Sequence, residues 1–149
     1  MRLYAHPFSS YCQKVLIALY ENDTAFEFRM LAPGDERAAA EHEALWPLKR
    51  IPVLVDEGRT VVEASIIIEH LGLHHPGPVR LVPEDPRAAL DVRMMDRFFD
   101  NYVMTPMQKI VLDSIRPHAD VVTVRIGLGC EPPLAPGPAE LSLQRHTVH

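Results

Sequence analysis

The 149-residue chain is 47% hydrophobic and 23% charged, which allows a packed core and excludes wholesale disorder. A net charge of −5, with no run of Lys and Arg, argues against a nucleic-acid partner. No apolar stretch approaches the length that spans a bilayer, so no membrane partner is expected.

The first predicted element is a strand over residues 2–5, ending at His6-Pro7. Val15, Leu16, Leu19 and Tyr20 then mark one face of a helix over 11–21, which Asn22-Asp23 ends. Residues 26–30 alternate Phe, Glu, Phe, Arg, Met, giving a half-buried strand over 26–31. Pro33-Gly34-Asp35 makes a turn, and 36–45, rich in Ala and Glu, is a helix. Pro47 breaks the chain, and strands 52–56 and 59–62 form a hairpin across Glu57-Gly58. A helix over 64–73 places Ile67, Ile68 and Leu71 on one face and is stopped by Gly72 and Pro76-Gly77-Pro78. This order predicts an α/β fold: a partly parallel sheet covered by helices, with the hairpin as an antiparallel edge.

Residues 76–86 carry four prolines, the composition of a linker, here assigned to 76–85. Asp85-Pro86 opens a new helix, Asp as N-cap and Pro at the first helical position. Val92, Met95, Phe99, Tyr102 and Val103 form an apolar stripe that carries this helix at least to Val103. Pro106 kinks or restarts it, and a second stretch over 107–115 ends before Pro117. Residues 118–149 hold no Phe, Tyr or Trp and repeat Pro and Gly; 118–126 reads as a lone strand candidate in an otherwise irregular, disordered tail. The expected organisation is therefore a domain over 1–75, a linker, the start of a helical region over 86–117, and the tail. The stripe on the 86–103 helix lacks part of its partner surface, and a second copy of the chain, in a homodimer, is one source of cover.

The opening MRLYAHPF has no apolar stretch followed by a small-residue cleavage site, and Cys12 and Cys130 fit neither a disulfide framework nor a metal spacing. The expectation is a cytoplasmic protein, kept reduced, without a metal.

Three segments carry chemistry. Ser9-Ser10-Tyr11-Cys12 sits at a helix N-terminus, where free N–H groups and the dipole favour a thiolate. It resembles the glutaredoxin Cys-Pro-Tyr-Cys site with Ser in place of the first Cys. A serine hydroxyl there can donate to a bound thiolate and lower the thiol pKa, while plain helix capping is the other reading of Ser9 or Ser10. Cys12 is either a redox residue or a small core hydrophobe.

The second segment is Arg50-Ile51-Pro52-Val53-Leu54. Proline opening a central strand cannot donate to the ladder. A cis Ile51–Pro52 bond explains it and turns the Ile51 backbone outward, ready to pair with an extended peptide ligand. A trans proline on an edge strand is the alternative. In the third segment, Glu63 can bind an ammonium group and the N–H groups of Ala64 and Ser65 a carboxylate. Complementing the helix dipole is the simpler role for Glu63.

In this order and spacing the three segments resemble the N-terminal domain of bacterial glutathione transferases over roughly residues 1–75, and the helix from Pro86 is similar to the start of that family's all-helical second domain. The resemblance implies a thioredoxin-like N-terminal domain with a partial all-α C-terminal region. It implies that Ser9, with Ser10 beside it, activates the glutathione thiol. Ile51, ahead of Pro52, then pairs with the cysteinyl part, Glu63 and Ala64 hold the γ-glutamyl group with Ser65 next, and Arg50 or Lys49 reaches the glycyl end. Glutathione would be the co-substrate, an electrophilic small molecule the second substrate, and conjugation the reaction. A thiol–disulfide oxidoreductase using Cys12 and a non-catalytic binding module are the alternatives. Two features depart from the family: Ala64 stands where Ser usually follows the acidic residue, and the later helices that build the electrophile pocket give way to the Pro-rich tail.

Overall fold

Leu3 and Ala5 project to one side of strand β1 (Arg2–Ala5) and Tyr4 to the other, and this period-two alternation sets the layers of the fold. The computed structural model describes residues 1–114. Met1–Met107 form one compact unit.

Helix α1 (Ser10–Glu21), strand β2 (Glu27–Met30), helix α2 (Glu36–Leu45), strands β3 (Val53–Asp56) and β4 (Arg59–Val62), and helix α3 (Ala64–His74) follow β1. The sheet order is β2-β1-β3-β4, with β1 parallel to β2 and antiparallel to β3, and β4 antiparallel to β3. The expected hairpin thus supplies a central strand as well as the edge. Register places Leu3 opposite Leu54 and Leu54 opposite Val61. That row joins Val15 and Leu19 of α1 and Ile67 and Leu71 of α3 in one core. Leu3, Leu19, Leu54 and Ile67 are completely buried, and each such side chain contributes about 1.5–3 kcal/mol. On the opposite face Tyr4 reaches Glu41 of α2, while Arg29 of β2 pairs with Asp35 and Glu41 at 3.1 Å each.

The predicted elements recur within one or two residues, with three corrections. Gly72 does not stop α3, which runs on to His74. The buried Leu71 and the bond from His75 N–H to the Leu71 carbonyl (2.8 Å) hold the last turn. The stop comes from Pro76, which disfavours helical geometry at His75 (φ −132°, ψ 56°). Second, the segment 76–85 is tied down: Asn22 Oδ1 accepts from Val79 N–H at 2.8 Å, and a Cβ on Gly77 would lie 2.4 Å from the same oxygen.

Third, the helix from Pro86 is not continuous to Val103. Helix α4 (Pro86–Phe98) passes into a π-helical turn, Phe99–Met104, and then helix α5 (Thr105–Ser114). Pro106 has no N–H for the Tyr102 carbonyl and its ring crowds that oxygen, so the ladder slips to a wider register. Thr105 N–H accordingly bonds Asp100 O. Among the described residues no helix is long and apolar enough to cross a membrane. The expectations for Ile115 and for 118–149 lie outside the described residues.

Candidate functional site

Ser9 is the N-cap of α1. Its backbone is extended (φ −84°, ψ 120°) and its Oγ accepts from Cys12 N–H at 3.4 Å. Capping uses a lone pair of the hydroxyl and leaves its proton to give, so capping and thiolate stabilisation are compatible roles. Ser10 follows in the first turn with its Oγ buried and without a hydrogen-bond partner. Cys12 is fully buried in the core, and burial pushes its thiol up against the opposing effect of Ser9. A thiol in that setting is the inert, structural kind.

The Ile51–Pro52 peptide is cis, as the sequence suggested. Pro52 is buried and Ile51 half-buried against the core. Buried His42 Nε2 lies 2.9 Å from the Arg50 carbonyl and fixes the entry into β3. The Arg50 side chain is exposed, whereas Lys49, at φ 54°, pairs with Glu43 at 2.8 Å. Lys49 and Ile51 share with His6, Leu31 and His42 an open cleft of about 400 Å³.

Glu63 caps α3 at φ 70°, ψ 119°, with no side-chain capping bond. A bulky residue in the left-handed region is strained, and such strain gathers at functional sites. The first helical N–H groups, those of Ala64 and Ser65, have no carbonyl within the helix to bind. Ser65 Oγ takes another direction: it accepts from Lys14 Nζ at 3.3 Å, donates to Asp96 Oδ2 at 2.5 Å and meets Arg97. Its hydroxyl therefore faces α4, and only its N–H remains for a ligand.

That contact belongs to a charged cluster the sequence reading missed. Lys14 of α1 pairs with Asp96 and, at 2.9 Å, with Asp100; Arg97 pairs with both carboxylates and feels the charge of Glu63. Burial opposes ionisation of Asp96, but hydrogen bonds from Lys14, Ser65 and Arg97 outweigh it and bring its pKa down to about 2. Tyr11 Oη lies 3.1 Å from the Asp100 carbonyl and 2.8 Å from Thr105 Oγ1, fastening α1 to the π turn. The signal for this cluster was Asp96 and Arg97, each about one turn before Asp100 and so on one face with it.

A second grouping was also missed. Asp56 Oδ2 lies 2.8 Å from His70 Nε2 and 2.7 Å from His75 Nε2, and these hydrogen bonds hold its carboxyl below the usual range. The sequence reading found no metal spacing because these ligand-type residues come from two separate elements.

The glutathione S-transferase N-terminal domain family matches residues 3–79, more than half of the chain. The chain belongs to the glutathione S-transferase family. Mouse maleylacetoacetate isomerase is 31% identical over 111 residues, covering 72% of this chain and 50% of the mouse protein. The uncharacterised GST-like protein YibF of Escherichia coli (strain K12) is 31% identical, covering 80% of this chain and 57% of its own. A glutathione S-transferase structure from Methylobacillus flagellatus with glutathione bound superposes at a TM-score of 0.68 with 26% identity, over 82% of this chain and 59% of that one. The chain thus spans about half the length of the curated relatives it matches. Family membership fixes the fold class: a thioredoxin-like N-terminal domain followed by helices.

Proposed function

We propose that the transferase-like domain over 1–75, followed by the start of a helical region over 86–117, binds glutathione as co-substrate. Ser9 is its thiolate-stabilising residue, with Ser10 beside it. Ile51, Glu63 and the N–H groups of Ala64 and Ser65 hold the peptide backbone and the γ-glutamyl head, and Lys49 or Arg50 the glycyl end.

The supporting observation is the 3.3 Å contact between Lys14, in the first turns of α1, and Ser65, in the first turn of α3. It brings the first turns of the two helices together, which supports the reading that Ser9 and Glu63 serve one bound molecule. Arg97, which feels the charge of Glu63, ties it to the cluster of two cations, Lys14 and Arg97, and two carboxylates, Asp96 and Asp100. With Glu63 the sum is one surplus negative charge, suited to an ammonium group. The Ser9 hydroxyl donates to the thiolate, lowers its pKa and raises its fraction at neutral pH.

Two outcomes are open to that thiolate. In conjugation it forms a C–S bond to an electrophilic carbon, and a leaving group departs or a proton is taken up. In isomerisation, the activity in the name of the mouse relative, it adds to an electron-poor double bond, the new single bond rotates, and elimination returns the thiolate. Cytoplasmic placement and a homodimer accompany either reading. The buried, raised thiol of Cys12 weighs against the oxidoreductase alternative.

The test is glutathione-dependent turnover of an electron-poor alkene, with free thiol measured throughout. Consumption of thiol marks conjugation, and product without consumption marks isomerisation. Ser9→Ala is expected to cut turnover strongly while glutathione affinity stays within a few-fold. Ser9→Thr keeps the cap and controls for its loss. Full activity in Ser9→Ala, or saturable binding without any turnover, would defeat this assignment.

A further inference from the structure

Far from the proposed glutathione site, at the other end of α3, three side chains converge without any role in it. Asp56 is the last residue of β3, and His70 and His75 lie in and just after the last turns of α3. Their ligand-type atoms all fall within 4.8 Å of one another. Helix α3 runs Ala64–His74, so His70 and His75 stand about 10 Å and about 18 Å along its axis from Glu63.

We propose that Asp56, His70 and His75 form a binding site for a divalent transition-metal ion of the zinc type. Two imidazoles and one carboxylate are the donor set such ions select, whereas magnesium and calcium prefer oxygen alone. The side chains of Asp56 and His70 are only 8% and 10% exposed, so two ligands are already held in place. His75 is 30% exposed and lines a cavity of about 370 Å³ between α1, α3 and the 76–83 segment. Water can enter there to complete the coordination.

The hydrogen-bonded arrangement converts to a liganded one by small motions. Both Nε2 atoms now lie within 2.8 Å of the same carboxylate oxygen, and donors in a tetrahedral zinc site stand about 3.3 Å apart. Lengthening each of those two separations by about half an ångström, with the three ligand atoms already within 4.8 Å of one another, admits the ion. Each imidazole would bind the cation through Nε2, in the tautomer that carries its ring proton on Nδ1. The negative end of the α3 dipole favours the positive charge. The ion would pin the β3–β4 hairpin to the end of α3, outside the thiol chemistry.

Cobalt(II) titration of the metal-free full chain, followed by visible absorption, and zinc calorimetry test the proposal. The expected result is one ion bound with cobalt bands of a low-symmetry site, displaced by zinc, and a rise in thermal midpoint with zinc. His75→Gln, a half-exposed change that leaves folding intact, is expected to weaken binding at least about tenfold. Asp56→Asn should do the same, and His74→Gln should leave binding unchanged. Absence of cobalt bands would overturn the site, as would equal affinity in His75→Gln, which would place the ion elsewhere in the chain. Should Asp56→Asn fail to fold, His75→Gln decides alone.

Discussion

The sheet with α1 and α3 is held by apolar packing, whereas α4 is held to it largely by charge. Within α1 five residues are buried, Cys12, Val15, Leu16, Ala18 and Leu19, and all are apolar. Within α4 only Ala89 is buried, and the next buried residue along the chain is the charged Asp100. The large apolar side chains of α4 stand in the open instead: Leu90 is 66% exposed, Met94 55% and Phe98 45%. The face that meets α1 and α3 carries Asp96, Arg97 and Asp100. Two helices of similar length thus depend on different forces, and they should respond to different perturbations.

The largest effect should come from the packed region. Leu54→Ala empties a fully buried position at the centre of the sheet and is expected to cost about 2–5 kcal/mol, read from the urea midpoint. A loss under about 1 kcal/mol would mean that the sheet does not carry the core.

Lys14→Met comes next. It keeps the side-chain length and strips the charge that joins α1 to Asp96 and Asp100. The carboxylates are then left facing each other with Arg97 alone, at a cost of about 2–3 kcal/mol. Amide hydrogen exchange should quicken along α4 before it quickens in the sheet. Uniform quickening in both would show that the two regions melt as one.

Acid offers a milder probe of the same contact. The Asp96 pKa falls from 3.8 to about 2 on folding, so its contribution is fully present above about pH 4 and is lost as pH falls toward 2. That contribution amounts to about 1–2 kcal/mol, lessened by solvent access. Denaturant midpoints measured between pH 5 and pH 2 should drop, and Asp96→Asn should flatten part of the drop. A profile unchanged by that variant would remove Asp96 from the account.

The smallest effect is expected at the exposed stripe. Phe98 is 45% exposed, so Phe98→Ser should shift stability by no more than about 0.5 kcal/mol in a chain standing alone. A much larger, concentration-dependent loss in thermal melts would show that another surface covers this face.

Most of the first 75 residues could be read directly because their signals are local. Alternation at 26–30, the helical spacing of Val15, Leu16 and Leu19, and the turn at Glu57-Gly58 each act over a few residues. Asp85 and Pro86 likewise announced the α4 start, and Asp85 does accept from Ala88 N–H at 2.8 Å. Gly72 misled because its propensity cost of about 1 kcal/mol is smaller than the packing of its neighbour Leu71. Pro106 marks the restart of the helix at Thr105, as its position suggests, but the π turn before it escaped because the missing N–H re-registers residues upstream of the proline.

The order of elements, the buried faces and the three segments that mark the glutathione S-transferase family are all legible from neighbouring residues, where periodicity, capping and turn chemistry are written. That Lys14 and Ser65 meet Asp96, and that His70 and His75 share Asp56, comes from long-range packing alone. These partners lie 14 to 82 residues apart. Their meeting depends on how α3 packs on the sheet and how α4 returns across it, which no local pattern encodes.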